Sequence, residues 1–318
     1  MSEFRPFKLA AIQAAPVYFD PVASAEKACR LISEAGAMGA TIAAFSETWL
    51  PGYPFFVWRS DPELPSRRSG ADYLAGAVEI PSAITDQLCE AALETNIDVV
   101  IGVAELDSNS LGTVYCTLLF ISNEGKILGR HRKLKPTHEE RTAWGEGDGS
   151  SLTVYQRSYG RISGLNCWEH NMVLPGYALM AQGTQIHIAS WPGSSTSRHL
   201  LLSRAFASQA AAYVIDVGAL LAPELVPDAY KNVAYIMPGQ SSIIDPWGEV
   251  IAGPAEGETI LMAEGTMDQI RAAKSMCDVG GHYSRPDVFQ LQVIKKPFQR
   301  VVDVIEPVEA ETDVSIEI

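Results

Sequence analysis

Arg161-Ile-Ser-Gly-Leu-Asn-Cys167-Trp-Glu-His-Asn171 is the stretch from which the fold of this chain is read. Residues 161–166 have the composition of a strand, residues 173–182 predict a helix, and residues 185–189 return to strand. A second helix over 199–212 precedes another strand at 213–217, Tyr-Val-Ile-Asp-Val. One cysteine therefore stands between a strand and a helix, in polar company. A thiol at such a junction lies near helix N-terminal N–H groups, which lower its pKa and favour the thiolate. Most core cysteines only pack. Asn166, Glu169, His170 and Asn171 argue otherwise here, because an ordinary core strand does not end among such neighbours.

The same alternation extends toward the N-terminus. Residues 8–16 predict a buried strand, and Ser24 predicts the N-cap of a helix reaching Met38, with Ala28, Leu31, Ile32 and Ala35 at helical spacing. A strand at 41–45 opens into an aromatic loop holding Trp49, Tyr53, Phe55, Phe56 and Trp58. A helix over 82–95 leads into a strand at 98–104. Strands at 114–121 and 126–132 are joined by Asn123-Glu-Gly125, a hairpin signal. Residues 152–155 predict one more strand, and residues 241–251 a second hairpin of similar plan. Two strand-and-hairpin halves with interposed helices predict an α/β layered fold with internal pseudo-symmetry. The regular pattern ends near residue 270, so residues 1–270 are expected to form one domain. Residues 271–318, helical to Met276 and ending in an acidic, alternately apolar tail, are expected to pack on the body or on a neighbouring subunit.

Composition narrows the function. Among 318 residues, 38 acidic side chains oppose 24 basic ones for a net charge of −14, which argues against nucleic acid or a basic membrane-surface module as partner. Hydrophobic residues make up 47% and charged ones 19%, enough for a large core, yet no apolar stretch approaches the ~20 residues of a bilayer span. The N-terminus lacks the layout of a secretory signal, and the five scattered cysteines form no CxxC pair, so a cytoplasmic location is expected. The six histidines show no His-x-His or HExxH spacing, and no metal site is expected.

Two further segments carry chemistry. Glu47 lies directly after an apolar strand, where partial desolvation raises a carboxyl pKa toward that of a general base; the aromatic, Pro- and Gly-rich loop behind it resembles a pocket wall. In Gly129-Arg-His-Arg-Lys133-Leu-Lys-Pro136 a cationic cluster stands out in an acidic chain, and one ammonium from it would stabilise an anionic tetrahedral species. Spacing permits Glu47, Lys133 and Cys167 to converge at one sheet edge.

Together these segments resemble the nitrilase branch of the carbon–nitrogen hydrolase superfamily, over residues 8–265. Phe45-Ser-Glu-Thr-Trp-Leu-Pro-Gly-Tyr-Pro54 resembles its glutamate motif. His131-Arg-Lys-Leu-Lys-Pro-Thr-His-Glu-Glu-Arg141, with Trp144-Gly-Glu-Gly-Asp-Gly149, resembles its lysine motif. Cys167-Trp-Glu-His170 resembles its nucleophile motif, in the Cys-Trp-Glu form that points to true nitrilases over the amidase branches. The resemblance implies Glu47 as general base, Lys133 as cationic stabiliser, Cys167 as nucleophile and Glu140 as supporting glutamate. It also implies a four-layer αββα sandwich, association into dimers or larger spirals, a small-molecule nitrile as substrate, and no metal or organic cofactor. Tyr53, Trp144, Trp168 and Trp191 are expected to line an apolar substrate pocket, while Cys29, Cys89, Cys116 and Cys277 are expected to be packing residues. The rivals are an amidase or N-carbamoylase of the same superfamily and a non-catalytic scaffold of this fold.

Overall fold

A computed structural model describes residues 6–193 and 198–302. The first half contributes β1 (Phe7–Gln13), α1 (Pro21–Ala37), β2 (Ile42–Ala44), α2 (Ser66–Ala75), α3 (Ala83–Thr95), β3 (Asp98–Leu106), β4 (Val114–Ile121) and β5 (Ile127–Arg132). The second contributes β6 (Tyr155–Arg157), β7 (Gly160–Asn166), α4 (Val173–Ala181), β8 (Ile186–Trp191), α5 (Arg198–Ala210) and β9 (Tyr213–Gly218). A two-residue pair, β10 (Leu220–Leu221) and β11 (Met237–Pro238), follows. The described elements end with β12 (Ser242–Ile244), β13 (Val250–Ala252), β14 (Thr259–Gly265) and α6 (Met267–Met276).

Two six-stranded sheets result, ordered β14-β1-β2-β3-β4-β5 and β6-β7-β8-β9-β12-β13. In both, successive pairings run antiparallel, parallel, parallel, antiparallel, antiparallel, which is the internal symmetry expected from the two hairpins. Strand periodicity builds the layers. Leu9, Ala11, Ile42, Ala44, Val100, Leu118 and Phe120 of the first sheet meet Ile162, Ile186, Ile188, Tyr213, Ile215 and Val217 of the second. Alternate residues Ala10, Ile12, Ala43, Val99, Ile101 and Val103 face Ala25, Ala28, Ile32 and Ala35 of α1 and Leu88, Ala91 and Ala92 of α3. On the far side Leu165, Ala189 and Val214 face Leu179 and Met180 of α4 and Phe206 and Ala207 of α5. The fold is a four-layer αββα sandwich. Among the described residues no helix is long and apolar enough to cross a membrane.

Several local expectations need correction. The N-cap of α1 is Asp20, whose carboxylate accepts from the Ala23 N–H at 2.9 Å; Ser24 lies inside the helix and bonds both backbone groups of Val17. The strand expected at 152–155 is β6, three residues later at its start, because Leu152 follows the tight turn Gly149–Ser151. Sequence patterning also missed α2 and β14. Only Ser69 and Tyr73 of α2 are buried, so it has no apolar stripe. Strand β14 is an edge strand without clean in–out alternation, paired with β1 from Phe7↔Gly265 to Gln13↔Thr259. Beyond α6 the chain has no helix or strand through residue 302, yet Val279 and Val293 pack on the α4–α5 layer, Phe298 N–H donates to Asp148 at 2.9 Å, and Arg300 pairs with Asp107 at 2.7 Å. The tail from residue 303 lies outside the described residues.

One close approach positions the loop after β2. A Cβ on Gly102 of β3 would stand 2.2 Å from the Ser46 carbonyl oxygen and 2.3 Å from the Thr48 nitrogen, while the Leu50 N–H donates to the Gly102 carbonyl at 3.0 Å. Gly102→Ala is expected to push this loop off the sheet. It should destabilise the fold by roughly 1–3 kcal/mol in urea titration, and activity in the folded fraction should fall.

Candidate active site

Glu47, Lys133 and Cys167 each follow the C-terminal end of a strand: β2 and β5 of one sheet, β7 of the other. The sheets meet at this end through Ser190 Oγ, which donates to the Phe45 carbonyl at 3.2 Å, and the Glu47 N–H, which donates to the Trp191 carbonyl at 3.3 Å. Two backbone positions here are left-handed, Thr48 at φ 42° and Cys167 at φ 51°. Neither is glycine or asparagine, so local strain is held by the surrounding packing. A five-residue 3-10 turn (Cys167–Asn171) carries the thiol, and α4 begins only at Val173.

The three predicted groups converge, with Glu140 as a fourth. Lys133 Nζ, fully buried, donates to Glu47 Oε1 at 2.8 Å and to Glu140 Oε2 at 2.7 Å. Glu140 is held from its other side by the Tyr53 hydroxyl (2.8 Å to Oε1) and the Thr137 N–H (2.7 Å to Oε2). A carboxylate oxygen of each glutamate and the Cys167 sulfur lie within 4.8 Å of one another. Such a donor set matches a metal site in spacing only, because the cation among the three is Lys133's own ammonium. Among the described residues the buried Glu47 Oε2 has no hydrogen-bond partner, which leaves it open to a proton from the thiol or from water.

Electrostatics follow from burial. Desolvation lifts the Glu47 carboxyl to about 7, against the downward pull of Lys133. Burial also pushes the Cys167 thiol well above its ordinary value, and Lys133 only partly offsets this. The expected thiolate-favouring shift is therefore corrected: the resting sulfur is a protonated thiol, because its dry surroundings outweigh the short turn's N–H groups. For Lys133 burial works downward, but the acidic groups around it, Glu47 first, outweigh it and hold the ammonium charged.

Two residues acquire roles that patterning did not give them. Cys116, expected to be a packing residue, donates its S–H to Glu47 Oε1 at 3.3 Å. Its parity with Leu118 and Phe120 on β4 was the available signal. Glu169 accepts from the backbone N–H groups of Leu134 and Asn166, both at 2.8 Å, and bonds His131 Nε2 at 3.0 Å. It ties the loop after Lys133 to the strand end before Cys167. Burial opposes its charge, but His131 and the two N–H groups hold its pKa below the ordinary value.

A cleft of about 630 Å³ opens onto Cys167 and Glu140. Tyr53, Trp168 and Trp191 line it as expected, joined by Thr137, His138, Arg198, Tyr235, Ile236 and Met237. Trp144 does not line it. Its ring packs 5.2 Å from Lys133 Nζ and its Nε1–H donates to the Tyr73 hydroxyl at 3.1 Å, so it supports the ammonium from behind. Tyr235 to Met237 come from the long segment between β10 and β11 and its junction with β11, which carries no motif.

The family model for carbon-nitrogen hydrolases matches residues 8–275. The chain belongs to the carbon–nitrogen hydrolase family. Within it the likeness is to nitrilases. The chain is 55% identical to Nitrilase 2 from an unknown prokaryotic organism over 309 residues, 95% of this chain and 97% of that one. It is 40% identical to an aliphatic nitrilase of Sinorhizobium fredii (strain HH103), over 93% of this chain and 98% of that one. An arylacetonitrilase of Aspergillus niger is 35% identical over 90% and 88%. The resemblance carried by the three motifs is borne out. Among solved structures, a Saccharomyces cerevisiae member of branch 10 of the nitrilase superfamily superposes with a TM-score of 0.69 at 21% identity, covering 87% of this chain and 96% of that one. An amidase from Nesterenkonia sp. gives 0.65 at 15%, over 87% and 95%. Both establish the shared fold.

With Glu47 as the expected general base, which must be ionised to accept a proton, kcat/KM is expected to rise with pH through about 7, the value to which Glu47 is lifted. Removing the Cys116 donor, which lowers the Glu47 pKa, should move that limb to higher pH in Cys116→Ala. Initial rates across the neutral pH range check both, and a limb unmoved by the substitution would remove Cys116 from the base's surroundings.

Proposed function

We propose that this protein is a nitrilase that hydrolyses a small organic nitrile to the carboxylic acid and ammonia through a covalent intermediate on Cys167. One observation carries the proposal: a buried ammonium shared by two buried carboxylates, beside a thiol on a strained strand-end turn. Glu47 takes the Cys167 proton at its free oxygen as sulfur attacks the nitrile carbon, and passing that proton on to the nitrogen gives a neutral thioimidate and frees the Glu47 carboxylate. Lys133 and the Trp168 N–H stabilise charge developing on that nitrogen. A water that loses its proton to Glu47 adds to the thioimidate carbon, and the tetrahedral adduct expels ammonia to leave a thioester. A second water then cleaves the C–S bond and restores the thiol. Expulsion of the thiol from the tetrahedral adduct would release an amide instead. Glu140 stays as the fixed carboxylate that orients Lys133.

The walls of the cleft support a medium aliphatic or arylaliphatic nitrile, since Tyr53, Trp168, Trp191, Ile236 and Met237 offer apolar surface around a few polar groups. The relatives named aliphatic nitrilase and arylacetonitrilase agree with that range. A cytoplasmic homo-oligomer is part of the same proposal. It is supported by five unpaired thiols and by apolar side chains bare on α4 and α5, among them Val173, Leu174 and Leu201. Residues 1–270 are proposed as the catalytic domain and residues 271–318 as an extension that packs on it or on a neighbouring subunit; light scattering on the full chain and on one ending at residue 302 measures the assembly and the tail's part in it.

Matched nitriles and amides, with products identified by mass, test the reaction. Nitriles should be the faster substrates and acid the main product, and Cys167→Ala should lose activity by on the order of 10⁴-fold or more while keeping its fold. Faster turnover of every amide than of its nitrile would make the protein an amidase, and undiminished conversion by Cys167→Ala would end the proposed mechanism.

A further inference from the structure

Behind Cys167, on the face of the second sheet that meets α5, lies a polar chain that the reaction above does not use. His170 Nδ1 stands 2.8 Å from the Cys167 carbonyl oxygen. A carbonyl only accepts, so Nδ1 carries the proton. Burial pushes the His170 pKa down to about 4, so the ring is neutral and its Nε2 is a bare acceptor. The group 3.0 Å from that nitrogen is His187 Nε2, which must therefore be the N–H. His187 is fully buried and, by the same cause, held neutral, so its Nδ1 accepts from Ser163 Oγ at 2.8 Å. Ser163 Oγ then accepts from Thr184 Oγ1 at 2.6 Å. Every donor in the series points toward Cys167. Stacking holds the rings in place: His187 on Phe206 with centroids 3.8 Å apart, His170 on Trp191 at 5.1 Å.

The endpoint of the chain matters because the Cys167 carbonyl and the Trp168 N–H belong to one peptide group. A hydrogen bond onto the oxygen draws density from the nitrogen and makes its N–H a stronger donor. The Trp168 N–H lies close enough to the Cys167 sulfur to pull its pKa down a little against burial. We propose that His170 and His187 are positioning residues of nitrile hydrolysis: a one-way hydrogen-bond chain from Thr184 through Ser163, His187 and His170 polarises the Cys167–Trp168 peptide and holds its N–H toward the substrate nitrogen. The inference rests on the assignment of Cys167 as nucleophile.

Nitrogen-15 NMR of histidine-labelled full-length protein near neutral pH reads the tautomers directly. His170 is expected as the Nδ1–H form and His187 as the Nε2–H form, with signals assigned through His170→Asn and His187→Gln. An Nε2–H or doubly protonated His170 overturns the inference. Kinetics provide a second readout. His170→Phe, which leaves the carbonyl bare, should lower kcat by about 10- to 100-fold with KM changed less than about twofold. His170→Asn, which keeps an N–H near the Nδ1 position, should restore most of that loss. If Phe does not fold, the His187→Leu and His187→Gln pair is compared in the same way. Equal losses in the two members of a pair, or no loss in either, overturn the role assigned here. Activity surviving in Cys167→Ala would instead overturn the nucleophile assignment, and the tautomers measured in the unsubstituted protein would stand apart from that result.

Discussion

A single ammonium, that of Lys133, bridges two buried carboxyl groups at the place where the two sheets meet. Burying an ion costs several kcal/mol even after the protein relaxes, and here three ionisable groups surround the lysine. The cation is fully shielded from solvent, 2.8 Å from Glu47 and 2.7 Å from Glu140. With two acids and a thiol around one base, the cluster cannot be fully ionised. Burial raises the pKa of both the Cys167 thiol and Glu47, and among the described residues one Glu47 oxygen is unpartnered. Glu140 accepts hydrogen bonds from three donors, Lys133, Tyr53 and the Thr137 N–H.

The two sheets supply the stability that offsets this arrangement. Each fully buried Leu, Ile, Val or Phe between them contributes roughly 1.5–3 kcal/mol, and the inter-sheet layer holds many such side chains. That layer also keeps β2, β5 and β7 ending at one edge, so the strained positions Thr48 and Cys167 are anchored on rigid strands. Glu169 closes the remaining freedom, since its two oxygens join the segment after Lys133 to the segment before Cys167. The proposed active site thus occupies the end of the sandwich where pairing stops and polar groups find partners across sheets.

Interior strands were legible in the sequence because β3, β4, β8 and β9 are buried along nearly their whole length and read as apolar runs. The edge strand β14 and the mostly exposed α2 were not, since neither needs a strict apolar face. Ser24 looked like a cap because nothing local distinguishes its hydroxyl from the Asp20 carboxylate four residues earlier. The convergence of Glu47, Lys133, Cys167 and Glu140 was legible through their motifs. The error at Trp144 was one of direction: the turn whose Trp144 N–H donates to the Glu140 carbonyl aims the indole at Tyr73, away from the cleft. The Tyr235–Met237 wall was hidden for a different reason, since only tertiary pairing brings it to the cleft, and the parity of Cys116 gives its face of β4 without giving its partner.

The raised thiol pKa bears on which product the proposed reaction releases. At the tetrahedral adduct two groups compete to leave, the cysteine sulfur and the nitrogen that becomes ammonia. A thiolate is a good leaving group in water, where its charge is solvated, but this sulfur would leave as an anion into a dry cluster, where burial disfavours its charge. The nitrogen competes by taking a proton, and Glu47, having just accepted one from water, stands within the cluster with a pKa of about 7 from which to return it. Protonated nitrogen leaves as neutral ammonia and adds no charge to the site. The same burial that makes the resting sulfur a weak acid therefore biases the adduct toward losing ammonia, and so toward acid over amide.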